Sequence, residues 1–107
     1  MGHVFVLRRD TGVPVFPVEE RAVPRSDVPG EQSSPTQPFP TLPAPLLPDL
    51  PALVPWGPDE AARAWQAQRF PELLYEGRFT PPSLKGSVQF PSTAGGVNWG
   101  GLTLEIT

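Results

Sequence analysis

The chain has 107 residues, 38% of them hydrophobic, with 17 prolines, no cysteine and a formal net charge of −3. It can hold one domain of ordinary size at most, and the missing cysteines exclude disulfides, thiolate metal sites and cysteine nucleophiles. Its acidic balance and scattered basic residues argue against a nucleic-acid partner.

In chain order, Val4-Phe5-Val6-Leu7 is a β-branched and aromatic run that predicts a strand. Asp10-Thr11-Gly12 follows as a turn, because Asp bonds its own backbone and Gly accepts φ > 0. Val13 to Val18 then predicts a second strand, limited by Pro14 and Pro17 to an edge. The first unit, residues 1–18, is therefore expected to be a β-hairpin. Thirteen of the prolines lie between Val13 and Pro58. Such a stretch suits neither helix interior nor central strand. Residues 19–55 show little periodicity and are expected to be extended or polyproline II. Phe39, Leu42, Leu46, Leu47, Leu50, Leu53, Val54 and Trp56 are interleaved there, more apolar bulk than a solvated linker carries. The stretch is expected to lie on an apolar surface belonging mostly to something else.

Residues 58–70 predict the one helix. Pro58 suits its first position, Asp59 and Glu60 complement the dipole, and the alanines favour the conformation. Ala61, Ala64, Trp65 and Gln68 share a face, so docking is expected through Trp65. Pro71 is expected to stop the helix and push Phe70 out of it. After a loop, Ser87–Phe90 predicts a short strand. Residues 91–101 are glycine-rich, and Leu102–Ile106 alternates as a half-buried strand. Unpaired strands need neighbours, so both ends read as cut, and the chain as a piece of a larger β-rich protein. No run is long and apolar enough to span a membrane, and the N-terminus does not read as a signal peptide.

Several segments together resemble the pyrroloquinoline-quinone (PQQ)-dependent dehydrogenases, in the branch of the membrane-bound quinoprotein glucose dehydrogenases. They are Gly2-His3-Val4-Phe5-Val6-Leu7, Asp10-Thr11-Gly12, Phe16-Pro17-Val18-Glu19-Glu20-Arg21, and Ser34 to Pro40. Further on come Tyr75 to Ser83, Val88-Gln89-Phe90-Pro91 and Gly95 to Gly101. They are collinear over nearly the whole chain, and specific in combination.

The resemblance implies a mainly β fold: a fragment of an eight-bladed β-propeller, each blade a four-stranded antiparallel sheet, with residues 1–18 the terminal hairpin of one blade, 19–86 a proline-rich insertion and 87–107 the first strands of the next blade. It implies oxidation of a glucose-like sugar or an alcohol, with PQQ and Ca²⁺ or Mg²⁺ as cofactors and membrane ubiquinone as acceptor. The implied location is the periplasmic face of the inner membrane. The family's cofactor-contacting lysine falls just before Gly2 in a Thr-Lys-x-Gly pattern, with Met1 as x. Its catalytic aspartate and metal ligands also fall outside these residues. No catalytic or metal-binding residue is therefore assigned here. The remainder of the propeller is the implied partner, and the chain alone is expected to be inactive and not to bind cofactor tightly. Three positions are cofactor candidates: Thr93, Asn98 and Trp99. Thr93 stands where the glucose-dehydrogenase branch commonly has an Asn, and Arg8 where the family commonly has Asp. Ile106-Thr107 also departs from the family's usual Asp-Pro.

Each candidate has a plainer reading. Asn98 and Trp99 also suit a glycine turn with the indole packed between blades. His3, the only histidine, reads as a surface or packing residue. Glu19 and Glu20 are adjacent on extended chain and point apart, which disfavours a metal site. A rival of another class treats the chain as a proline-rich interaction segment for an SH3- or WW-type groove. Pro35–Pro38, Pro40–Pro43, Pro45–Pro48 and Pro48–Pro51 all fit P-x-x-P. No Lys or Arg lies between Arg25 and Arg63 to flank them, and the strand and glycine segments stay unexplained.

Overall fold

A computed structural model of the chain describes residues 2–50 and 52–105. The expected hairpin turn forms around Asp10-Thr11-Gly12. Arg8 N donates to Val13 O at 2.8 Å, Val15 N to Val6 O at 2.8 Å, and Gly12 N to Arg8 O at 2.8 Å. Gly12 closes the loop at φ 72°, where a side chain would be strained. The exposed Arg8–Asp10 ion pair at 2.9 Å braces it. The flanking strands are shorter than expected, reduced to one antiparallel bridge, Leu7↔Pro14. Bonds at Val6–Val15 and Arg8–Val13 make Leu7–Pro14 a non-hydrogen-bonded pair. Pro14 therefore sits where the hairpin needs no donor.

The regular sheet lies instead in the stretch expected to be extended or polyproline II. Strand β1, Val18–Ala22, pairs antiparallel with β2, Thr36–Pro40. Thr41 N donates to Pro17 O at 2.9 Å and Val23 N to Pro35 O at 3.0 Å. The register pairs Val18 with Pro40 and Glu20 with Pro38. By the antiparallel alternation, both prolines occupy non-hydrogen-bonded positions, with their nitrogens turned to the outer edge. Pro17 and Pro35 accept the outermost bonds but cannot return them, so the ladder ends at both. Two strands are both edges, so proline is compatible with them. Extended chain was expected here and its pairing was not, because proline was weighed by type and not by parity. The same register places Glu19 and Glu20 on opposite faces. Glu19 turns to Arg21, 2.6 Å away, and the Arg21 guanidinium lies 5.1 Å from the Phe39 ring centroid.

Helix α1 runs Glu60–Arg69, inside the expected 58–70. Asp59, not Pro58, sets its start: the carboxylate accepts from Ala62 N at 2.8 Å, an N-cap worth about 1 kcal/mol. A 3-10 turn, Phe70–Glu72, continues from it. Phe70 keeps helical angles, φ −55° and ψ −41°, so Pro71 does not expel it. Pro71 is an opening residue of the tighter turn, where its missing donor is not required. The docking face also differs. Trp65 is 66% exposed, and the half-buried stripe is Ala62, Gln66 and Phe70. Gln66 Oε1 accepts from Trp56 N at 2.7 Å, and Arg63 donates to Gly57 O at 3.0 Å. A methyl group at Gly57 would lie 2.7 Å from Ala62 Cβ, so the glycine permits the close approach. Polar bonds to the Trp56–Gly57 backbone, not an indole in a pocket, hold the helix.

The two late strands are not regular either. Ser87 makes a single parallel bridge to Leu74, and residues 102–105 make no ladder. Alternation alone cannot form a strand where no neighbour presents its edge. Ile106 lies outside the described residues.

Packing is sparse. Among the described residues, no hydrophobic side chain other than Pro40 is buried. The chain exposes 8342 Å², where a folded monomer of 11.6 kDa exposes about 5,800 Å². Its radius of gyration is 17.1 Å, against about 13 Å for a compact chain of this length. No described helix is long and apolar enough to cross a membrane.

Candidate functional site

The loop at residues 91–101 carries the three candidate cofactor residues. Local turns shape it: Gly95 N donates to Ser92 O at 3.0 Å and Gly101 N to Asn98 O at 3.0 Å. Thr93, Asn98 and Trp99 are all exposed, with Trp99 at 95%. Asn98 Oδ1 accepts from Trp99 N at 2.8 Å, which uses the carbonyl side of the amide and leaves its N–H₂ side as the donor toward a ligand. The three lie on one short loop, and among the described residues no other segment covers them. As a donor set, a hydroxyl, an amide N–H₂ and an indole face fit the oxygens and flat rings of a tricyclic quinone. Among the described residues, no three His, Cys, Asp or Glu side chains converge as a metal cluster.

The best-organised polar site lies elsewhere, where three distant segments meet at Arg78. Its side chain is 11% exposed, and Nε donates to Asp49 Oδ1 at 2.7 Å. Nη2 donates to Leu47 O at 2.8 Å. Nη1 lies 3.2 Å from His3 Nε2. A guanidinium has no acceptor, so the imidazole must accept, which fixes His3 as neutral with its proton on Nδ1. The His3 pKa is lowered accordingly, first by burial and then by the Arg78 charge.

Aromatic rings enclose this junction. His3 lies 4.9 Å from Phe39 and 5.8 Å from Phe79, and Phe39 lies 5.5 Å from Phe79, centroid to centroid. The turn that delivers Arg78 and Phe79 is strained, with Phe79 at φ 66°, a conformation costing about 1–2 kcal/mol for an L-residue. Thr80 holds it: its hydroxyl donates to Gly77 O at 2.5 Å and accepts from Glu76 N at 3.0 Å. Beside the junction is a cavity of about 60 Å³ lined by Leu47, Asp49, Tyr75, Arg78 and Phe90, among others. Tyr75 OH donates across it to Leu50 O at 3.0 Å.

Sequence reasoning missed Arg78 because its partners are 29, 31 and 75 residues away. The one local signal was the position of Arg78 in a glycine-led turn beside the large apolar Phe79. The packing alternative for His3 is the one the structure shows.

The family described as "PQQ: Glucose/ethanol/alcohol dehydrogenase, beta-propeller domain" matches residues 1–107. The quinoprotein glucose dehydrogenase of Gluconobacter oxydans (strain 621H) is 41% identical over 104 residues, covering 97% of this chain and 13% of that protein. The quinoprotein glucose dehydrogenase of Escherichia coli (strain K12) is 36% identical over 104 residues, with the same coverages of 97% and 13%. The glycerol dehydrogenase large subunit of Gluconobacter thailandicus is 40% identical over 107 residues, covering 97% of this chain and 14% of that protein. No solved structure matches the chain. The chain thus spans about one seventh of these relatives, and with its whole length matched it belongs to the PQQ-dependent glucose/ethanol/alcohol dehydrogenase β-propeller family.

Proposed function

We propose that these residues work as part of a PQQ-dependent dehydrogenase that oxidises a glucose-like sugar or an alcohol and passes the electrons to membrane ubiquinone. The observation that carries this reading is the family match over the entire chain. Relatives named for glucose, glycerol and quinate keep the substrate class broad. In this reading residues 1–18 close one blade of an eight-bladed propeller, 19–86 are an insertion, and 87–107 open the next blade. The surface excess of about 2,500 Å² over a compact monomer is what blades on either side would cover. The family setting implies the periplasmic face of the inner membrane.

When bound, PQQ with its Ca²⁺ or Mg²⁺ supplies a polarised ortho-quinone that accepts two reducing equivalents from a C–H/O–H pair. The residues of this chain serve to bind and orient it. Asn98 would donate from its amide, Thr93 from its hydroxyl, and Trp99 would cover a ring face. Residues that take the substrate proton or hold the metal come from the rest of the protein.

The test is reconstitution of the purified protein that contains residues 1–107. PQQ-dependent reduction of a dye by glucose, glycerol and quinate, each tried in turn, is the expected result. Its absence with all three, under conditions where a known quinoprotein is active, would refute the reading. The peptide of residues 1–107 alone is expected to show no saturable activity. The fold takes up two of the four groove-ligand segments, since Pro38 and Pro40 are committed to β2 and Pro40 is buried.

A further inference from the structure

Leu47 sits at the crossing of the two sites just described. Its carbonyl accepts from the largely buried Arg78 at 2.8 Å. Its backbone lies against Gly2, where an added methyl group would come within 2.8 Å of Leu47 N. Gly2 is buried, and its carbonyl accepts from Leu46 N at 2.8 Å. On the other side, the Leu47 side chain lies against Gly96, in the middle of the candidate cofactor loop. A methyl group at Gly96 would overlap Leu47 Cδ1 and stand 3.1 Å from Pro91 Cγ. The loop makes its own turns at Ser92–Gly95 and Asn98–Gly101. Those bonds shape the loop but do not attach it to the rest of the chain.

We infer that Arg78 and Leu47 are positioning residues for the cofactor loop: Arg78 fixes the Leu47 backbone, and Leu47 seats Gly96 and with it Thr93, Asn98 and Trp99. The inference rests on the proposed PQQ function for its cofactor consequence, but not for the clamp. The geometry explains three features that the cofactor reading alone leaves unexplained. Gly96 lets the loop rest directly against the Leu47 side chain, which a methyl group there would have to displace. Gly2 has none because the Leu46–Leu47 backbone passes over it. The strained Phe79 turn is maintained because it delivers Arg78 to Leu47 and Asp49. A loop whose seat is lost samples many positions, and misplacing contact groups by about 1 Å can cost on the order of a hundredfold in function.

The test uses the protein carrying these residues, first as apoprotein and then with PQQ. Hydrogen exchange across residues 91–101 of the apoprotein reads the clamp directly. Gly96→Ala and Arg78→Leu are expected to speed exchange there, and Arg78→Lys, which keeps one of the donors, to restore part of the protection. PQQ titration followed by tryptophan fluorescence is expected to show affinity weakened about tenfold or more in Gly96→Ala and Arg78→Leu, with Arg78→Lys between them and the unsubstituted protein. Leu47→Met, which keeps volume, is expected to stay within about twofold. Leu47→Ala, which removes the side chain against Gly96 but keeps the carbonyl that Arg78 bonds, is the measurable case if Arg78→Leu does not fold, and faster exchange across 91–101 is expected of it. Unchanged exchange in Gly96→Ala and Arg78→Leu would overturn the clamp. Faster exchange with unchanged PQQ affinity would overturn its role in positioning cofactor contacts. If the unsubstituted protein binds no PQQ, the functional reading fails, while the exchange experiment still decides the clamp.

Discussion

Moving a single proline by one position along β2 tests the logic of the sheet. Pro38 lies opposite Glu20, and Gln37 opposite Arg21. Alternation from the bonds Thr41 N to Pro17 O and Val23 N to Pro35 O makes Arg21–Gln37 a hydrogen-bonded pair and Glu20–Pro38 a non-bonded one. Pro38→Ala should therefore cost no more than about 1 kcal/mol, the loss of proline's restriction of the unfolded chain. Gln37→Pro removes a ladder donor, about 1 kcal/mol net. It also forces a strand φ toward −65°, another 1 kcal/mol or more by order of magnitude. The sum, about 2–3 kcal/mol, corresponds to roughly a thirtyfold or greater change in sheet opening. A sheet of only two strands has little stability in reserve. The assay is amide exchange at Arg21 and Phe39, the donors of the bonded pairs, with Gln37→Ala as control for the lost side chain. Pro38→Ala should leave their protection within about fivefold, and Gln37→Pro should abolish it. Equal effects from the two variants, or a larger one from Pro38→Ala, would refute the parity argument.

Three further outcomes follow from the same structure. Asp59→Ala should cost about 1 kcal/mol, read as faster exchange of the Ala62 amide and loss of helical signal for Glu60–Arg69, with Asp59→Ser restoring most of both. The His3 pKa is depressed in the folded chain, so its contribution is fully present above the ordinary value of 6.5 and is lost as pH falls through the depressed one. Imidazole NMR should show a midpoint below 6.5 that moves up in Arg78→Leu, and a midpoint at or above the ordinary value would refute the Arg78–His3 contact. Calorimetry of the isolated chain should show no cooperative transition. Among the described residues almost no apolar group is buried to offset the ordering entropy of 107 residues, on the order of 100 kcal/mol or more. A sharp endotherm would overturn that expectation.

What the sequence revealed was what is local. The hairpin turn at Asp10-Thr11-Gly12 needs only neighbouring residues, and so does the helix, whose cap and alanines are contiguous. The collinear motifs were legible for the same reason, being short strings in a fixed order. The β1–β2 sheet was hidden because proline was judged by abundance. Its effect on a ladder depends on which side of the strand its nitrogen faces, and that requires the partner's register. The Arg78 junction was hidden by distance along the chain, with His3 at one end and Arg78 well past the helix. Trp65 misled because size suggested an anchor, whereas Gln66 and Arg63 hold the helix through backbone bonds. Thr93, Asn98 and Trp99 were named through family resemblance, and the structure places all three exposed on one loop.

The central claim is that these residues serve a quinoprotein dehydrogenase through the loop at 91–101. The most direct measurement is PQQ binding by the purified protein that contains them, with Asn98→Ala and Thr93→Ala beside it. The account predicts saturable binding, PQQ-dependent oxidation of a sugar or alcohol, and clear weakening of binding in Asn98→Ala. Binding that is absent, or that is indifferent to both substitutions, would contradict it.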